Sequence, residues 1–289
     1  MADDKMPIEI DSYPTIFVRS ELEQSDAFQW NFMEQGIPYR LIVLTGGCEL
    51  SPEHVPGLAN IQDALAGRVN GQRQENLPVY EGYAVFGGTR YKRASDPHGH
   101  IPGITEVLPG IQDACPNARF VGVVAKSIRK MRYIMPLGLM VHREFERGKP
   151  KGWKKGDDEK FTVVHPTAKS IMLIQKTVDQ VSESPWWDEA KERYGICRSF
   201  VETGHPAMLL AYNGGGITEK EIDLYAEAGL PVLLIRGSGR AADKVLANER
   251  FMASFPNVQA ADNDVESIRS KLVEMGFLRQ KDDGEEPNK

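Results

Sequence analysis

Glycine turns stand where four apolar runs end. Leu41 to Leu44 leads into Thr45-Gly46-Gly47, and Ala84 to Phe86 into Gly87-Gly88-Thr89. Leu209 to Tyr212 leads into Asn213-Gly214-Gly215-Gly216, and Pro231 to Ile235 into Gly237-Ser238-Gly239-Arg240. Glycine lets backbone N–H groups approach a phosphate and permits positive φ. A helix that starts next adds its unpaired N–H groups and its dipole. Hydroxyls at Thr45, Thr89, Thr218 and Ser238, with cations at Arg90, Lys92, Arg93 and Arg240, complete an inventory suited to a phosphate or pyrophosphate. One such turn often serves strand-to-helix sterics alone, whereas four at corresponding places point to an anion-binding crevice. The candidate ligand-binding residues are therefore Thr45, Gly46, Gly47, Gly87, Gly88, Thr89, Arg90, Asn213, Gly214, Gly215, Gly216, Thr218, Gly237, Ser238, Gly239 and Arg240.

Other chemistries have weaker signatures. The chain has no GxxxxGK[ST], no GxSxG and no HExxH. Gly237-x-Gly239-x-x-Ala242 fits the dinucleotide fingerprint, with Asp262 about 20 residues onward, so an NAD site is an alternative. Little chain follows it, however, and that fingerprint normally opens a fold. His98 and His100 lack a third ligand and are expected in a polar loop, so no metal site is expected. Cys48, Cys115 and Cys197 are odd in number and show no CxxC spacing, which fits a reducing compartment.

The turns need a scaffold. Short apolar runs alternate with longer amphipathic stretches, as in βαβ units around a parallel sheet. Strands are expected at Arg40–Leu44, Tyr83–Phe86, Phe120–Ala125, Ser170–Ile174, Ala207–Ala211, Pro231–Ile235 and Val258–Ala261. Their lack of polar alternation means burial on both faces. Helices are expected over Gly103–Ala114, interrupted by Pro109, and over Trp186–Glu202, Glu219–Ala228, Ala241–Phe251 and Val265–Met275. The expected fold class is α/β: a Rossmann-like, doubly wound, mostly parallel sheet with helices on both faces, whose strand ends form the ligand crevice.

Composition agrees with a globular chain: 41% of the 289 residues are hydrophobic and 26% charged. A net charge of −6 lacks the basic excess of a dedicated nucleic-acid binder. The N-terminal MADDKMPIEID has no apolar core, and the runs Ala207–Tyr212 and Leu230–Ile235 fall short of the ~18 residues a membrane span needs. A cytoplasmic protein without membrane insertion is expected. Lys126 to Lys160 carries eleven basic against five acidic residues, a net of +6, leaving −12 elsewhere. Its GKPKGWKKGDDEK portion reads as an exposed loop. Residues 1–36 are expected as an extension packing on the core, 37–280 as one domain with a basic insertion near 126–160, and 281–289 as a disordered acidic tail.

Asn213-Gly214-Gly215-Gly216-Ile217-Thr218, a helix, and Gly229 through Ile235 into Arg236-Gly237-Ser238-Gly239-Arg240-Ala241-Ala242-Asp243 resemble the SLOG superfamily, in particular its LSDAT branch. That branch includes the N-terminal domain of melastatin-type TRP channels and stand-alone prokaryotic relatives. The turns after Leu44 and Phe86 look like its earlier glycine motifs, giving a match from about Arg40 to Leu246. The resemblance implies binding or sensing of a nucleotide-derived, phosphate-bearing ligand, ADP-ribose-like or cyclic nucleotide-like, with no cofactor required. It also implies prokaryotic signalling, with output through an effector protein or a homo-oligomer.

The sister LOG enzymes, which hydrolyse the N-glycosidic bond of nucleoside 5′-monophosphates, carry PGGxGTxxE. On that pattern Gly214, Gly215 and Thr218 match, Glu221 falls on the glutamate, Asn213 replaces the proline and Ile217 the third glycine. A nucleotide hydrolase with Glu221 as its catalytic carboxylate is thus an alternative. In the sensor reading, Glu219 and Glu221 instead complement the dipole of the first helical turn. A third alternative is a protein-interaction subunit with Trp186 and Trp187 as exposed anchors, set against their packing at a helix start.

Overall fold

All seven expected apolar runs become strands of one sheet in the computed structural model. The structure describes residues 15–20, 36–47, 50–87, 89–93, 96–126, 131–134, 139–143, 160–164, 170–175 and 185–279. In chain order the strands are β1 (Thr15–Ser20), β2 (Leu41–Gly46), β3 (Arg68–Val69), β4 (Gln72–Arg73), β5 (Gly82–Gly87), β6 (Thr89–Arg93), β7 (Asp96–Ile101) and β8 (Ala118–Lys126). They continue as β9 (Met131–Ile134), β10 (Leu139–Arg143), β11 (Lys160–Val164), β12 (Ser170–Gln175), β13 (Ala207–Tyr212), β14 (Val232–Arg236) and β15 (Val258–Asp262). The helices are α1 (Gly57–Leu65), α2 (Leu108–Ala114), α3 (Pro185–Glu202), α4 (Gly216–Glu227), α5 (Arg240–Leu246), α6 (Glu249–Ser254) and α7 (Val265–Glu274).

The main sheet runs β1-β12-β8-β5-β2-β13-β14-β15, and every neighbouring pair is parallel. Alternate residues of β2, β5, β8, β13, β14 and β15 enter opposite cores. Ile42, Leu44, Leu210 and Leu233 pack with Leu58 and Ile61 of α1, Ile111 of α2 and Ile268 of α7. Leu41, Val43, Leu209 and Leu234 pack with Ile196 and Phe200 of α3, Ile222 and Tyr225 of α4 and Val245 of α5. Both sheet faces are thus covered, as doubly wound folds require.

From β2 the chain lays down β5, β8 and β12 on one side, then returns through α3 to place β13 on the other side of β2. From β13 it continues outward to β14 and β15. The connections after β2 and β13 therefore diverge, with α1 on one face and α4 on the other. This is a topological switch point, where open parallel sheets hold ligands.

Several expectations are corrected. The Gly87-Gly88-Thr89 turn does not open a helix: β5 passes into β6, a strand of a second, antiparallel sheet ordered β7-β6-β11-β10-β9. Thr89, Arg90, Lys92 and Arg93 thus pair with Val164, Val163, Phe161 and Lys160 in that sheet. His98 and His100 lie in β7. The basic segment contributes β9, β10 and the start of β11 to that sheet, while residues 148–159, read as a loop, lie outside the described residues except for Lys160 that follows. Gly88, Cys48, Trp186's side chain and the tail after 279 lie outside them too.

Local chemistry explains the helix boundaries. Pro109 sits in the first turn of α2, where its missing N–H costs no hydrogen bond, and a 3-10 turn over Ile104–Val107 leads into it. The expected helix Ala241–Phe251 divides into α5 and α6 because Asn248 caps the second, accepting from the Phe251 N–H at 3.1 Å. Among the described residues no helix is long and apolar enough to cross a membrane.

Candidate functional site

The turn after β13 is built by its first residue. Asn213 has φ +60° and Gly214 φ +93°. The Asn213 N–H donates to Ser238 Oγ at 2.8 Å, its Nδ2 donates to the Ser238 carbonyl at 2.6 Å, and its Oδ1 accepts from the Gly214 N–H at 2.8 Å. Asparagine tolerates left-handed backbone because its amide bonds locally. Proline, at this place in the LOG pattern, can neither adopt positive φ nor donate an N–H. The departure at Asn213 is thus a different turn construction.

That construction leaves the start of α4 open. Gly215, extended at φ −122°, is the residue before the helix, and no side chain caps it. The first-turn N–H groups of a helix have no internal acceptor, so these amides and the dipole face the crevice. The Arg240 guanidinium comes from the next turn, its Nη2 3.0 Å from where a Cβ on Gly215 would stand. Arg240 is exposed, holds φ +50°, and forms no ion pair among the described residues.

Glu221 lies one and a half turns into α4, not in the first turn, where only Glu219 acts on the dipole. It is fully buried. Its Oε2 accepts from Thr45 Oγ1 at 2.5 Å and from Arg193 Nη2 at 2.9 Å, and its Oε1 from Arg193 Nε at 3.2 Å. Burial pulls the Arg193 pKa down, but the Glu221 charge and hydrogen bonds outweigh it, and the net shift is upward. The pair ties the end of β2 to α3 and α4. Oε2 is engaged by two donors and Oε1 by one, so the carboxylate is held chiefly as the partner of Arg193 and Thr45. Burial, followed by the Glu221 charge, also raises the Cys197 pKa.

The turn after β14 is sealed from within. Asp243, in the first turn of α5, reaches back and accepts from the Gly237 N–H and the Gly239 N–H, each at 2.8 Å. The first amides of α5 are also taken: Ala241 N–H donates to the Gly214 carbonyl at 3.4 Å and Ala242 N–H to the Asn213 carbonyl at 3.1 Å. Asp262, the acid of the dinucleotide fingerprint, pairs with Arg236 at 3.2 Å. The NAD alternative therefore lacks its phosphate nest. Gly239, at φ +87°, has His54 against it: a Cβ there would lie 2.5 Å from His54 Nε2. Tyr212 Oη donates to the His54 carbonyl at 2.6 Å.

The switch point thus gathers Thr45, Gly46, Gly47, Asn213 to Gly216, Thr218, Glu221, Ser238, Gly239 and Arg240. Gly46 and Gly47 serve close approach: a Cβ on Gly46 would strike the Tyr212 carbonyl oxygen, which accepts the Gly47 N–H at 3.2 Å. Gly237 is exposed. Gly87 ends β5 on the far side of β2, where a Cβ would stand 3.4 Å from Glu189 Oε2 and 3.6 Å from Arg193 Nη1. Trp187 is half-buried, with Lys220 Nζ 6.0 Å from its ring centroid. Glu189, Arg193, Asp243 and His54 were not anticipated. For Asp243 a signal existed, an acid four residues after a glycine at a helix start. Arg193 reads in sequence as one more helix charge.

Fold and site define an α/β protein with its glycine turns at a switch point. Residues 154–281 match the family described as SLOG in TRPM, prokaryote, which supports assigning this part of the chain to the LSDAT branch of the SLOG superfamily. The match covers every residue from Asn213 to Arg240 but begins well after Arg40, leaving the turns after β2 and β5 outside it. No curated protein matches the chain. Among solved structures, it is similar to the molybdenum cofactor carrier protein MCP from Chlamydomonas reinhardtii, at 12% identity, 82% of this chain, 97% of that chain and TM-score 0.43. It is also similar to the molybdenum cofactor binding protein from Rippkaea orientalis, at 13% identity, 83% of this chain, 98% of that chain and TM-score 0.41.

Proposed function

We propose that the protein binds a nucleotide-derived, phosphate-bearing ligand at the switch point and acts as a sensor. The ligand's phosphate sits on the uncapped start of α4, with Arg240 closing over it. The observation that carries this reading is the Arg240 guanidinium beside Gly215, unpaired with any described carboxylate and projecting from a left-handed backbone. A cation at the positive end of a helix is unfavourable without an anion between them, and non-glycine residues at φ +50° are uncommon and concentrate at functional sites. ADP-ribose-like and cyclic nucleotide-like compounds are the ligand classes, and an effector protein or a second copy of the chain would carry the output.

Thermal shift and calorimetry with ADP-ribose, cyclic ADP-ribose, NAD, AMP and cyclic AMP, followed by product analysis, test the reading. At least one compound should stabilise the protein and be recovered unchanged. Arg240→Ala should weaken it by roughly tenfold, ~1.4 kcal/mol, and flatten the salt dependence. Gly215→Val should do the same by filling the approach to the amides. Unchanged affinity in both folded variants would refute the site. Release of a free base by the parent would instead support the hydrolase alternative, with Glu221 and Arg193 at its floor.

A further inference from the structure

We infer that one face of the antiparallel sheet binds single-stranded nucleic acid. The strands β6, β9, β10 and β11 hold six cations, Arg90, Lys92, Arg93, Arg132, Arg143 and Lys160, and no aspartate or glutamate. They carry a net of +6, which leaves −12 on the rest of the chain. At physiological ionic strength surface charges more than about 8 Å apart are largely screened. A polyanion on this sheet would therefore meet the local excess and not the −6 of the whole chain.

Strand pairing sorts these charges. Residues opposite each other in a ladder share a face, and neighbours along a strand lie on opposite faces. One row across the sheet is Arg90, Val163, Val141 and Arg132, and the next is Lys92, Phe161 and Arg143. Four cations thus share a face, and in both rows they flank apolar positions, with Phe161 between Lys92 and Arg143. Arg93 and Lys160 fall on the other face, where Asp96 of β7 is in register with Arg93. Among the described elements, the extended contacts of this sheet are between its own strands. An aromatic position bracketed by cations on a sheet suits a single strand, whose unstacked bases lie on rings while its phosphates meet cations on either side. A duplex keeps its base faces covered, and an acidic protein or an anionic membrane would use the charges without needing Phe161. None of these residues is among those gathered at the switch point, so the inference stands independently of the ligand reading.

Fluorescence anisotropy of the full chain with labelled oligo-U and oligo-dT of about twelve nucleotides, over a range of salt concentrations, is the test. The parent should bind at low salt, and four phosphate contacts give a slope of log K against log salt of about −3, at ~0.7 per contact. The double variant R90S/R132S should halve that slope and weaken binding at least tenfold. F161L should weaken binding at least fivefold with the slope unchanged, and F161Y, which keeps a ring, should bind as the parent does. Binding of either oligonucleotide supports the assignment, and the preference between them names the sugar. No binding of either at low salt, or a folded F161L or R90S/R132S that binds as the parent does, would overturn it. Equally tight binding of polyglutamate or of phosphatidylserine vesicles would also overturn it, in favour of an acidic protein or a membrane.

Discussion

Replacing Glu221 by glutamine should destabilise the protein severely, whatever it does to ligand turnover. Glu221 is wholly buried and Arg193 nearly so, and three hydrogen bonds of 2.5 to 3.2 Å join Glu221 to Thr45 and Arg193. Glutamine keeps the shape and one acceptor for Thr45 but removes the carboxylate bonded to the buried guanidinium, leaving it only the buried Glu189 as a nearby counter-charge. Removing one partner of such a pair costs about 3–5 kcal/mol. The alternative, a surface acid complementing a helix dipole, is worth only about 0.3–1 kcal/mol. Urea denaturation followed by circular dichroism separates these sizes, and the melting temperature should drop by roughly 6–15 °C. Arg193→Met should cost a similar amount. The double variant Arg193→Met/Glu221→Leu should recover most of the loss, because buried ion pairs replaced by apolar groups are often neutral or better. A Glu221→Gln loss below about 1 kcal/mol, or a double variant no better than the singles, would refute the account of this pair as a buried structural tie.

Asn213→Gly should cost about 2 kcal/mol, the loss of two buried side-chain hydrogen bonds with the left-handed backbone retained. Asn213→Pro should not fold, since φ +60° and the N–H to Ser238 are both forbidden; a soluble Asn213→Pro protein with parental stability would contradict the turn geometry. Cys115 is buried with its pKa pushed up to about 11, and Cys197 is buried with its pKa also raised by burial. Neither should react with iodoacetamide at pH 8 until the protein unfolds, as peptide mapping would show. Stoichiometric native labelling of either would contradict their burial.

The sequence carried the parallel sheet because its strands are buried on both faces, which compresses the needed information into each run itself. Leu209, Leu210 and Ala211 need no partner to be recognised. The antiparallel sheet is different. Asp96-Pro97-His98-Gly99-His100 contains residues usually found in turns, and its extended state depends on pairing with β6, whose identity no local pattern records. Helix α1 was legible in principle: Leu58, Ile61 and Leu65 recur at helical spacing and all are buried. The site divides in the same way. Glycine positions announced the turns, but which amides remain open depends on Asp243 reaching back and on Asn213 bridging to Ser238, twenty-five residues away. Arg193 meets Glu221 across twenty-eight residues, and only the packing of α3 on α4 brings them together.

Left-handed backbone at Asn213, Gly214, Gly237, Gly239 and Arg240 is concentrated in two adjacent strand ends. Glycine bears this without strain, but Asn213 and Arg240 do not, and each such residue costs about 1–3 kcal/mol unless its surroundings compensate. Asn213 is compensated visibly, by three hydrogen bonds of 2.6 to 2.8 Å. Arg240 is not: its side chain lies exposed beside Gly215 and meets no described carboxylate. The uncompensated strain thus falls on Arg240, a cation that reaches the uncapped end of α4, which is where a bound phosphate would repay it. A protein selected for stability alone would place a small neutral residue at 240, and Arg240→Gly should therefore stabilise the free protein while weakening the ligand-bound one.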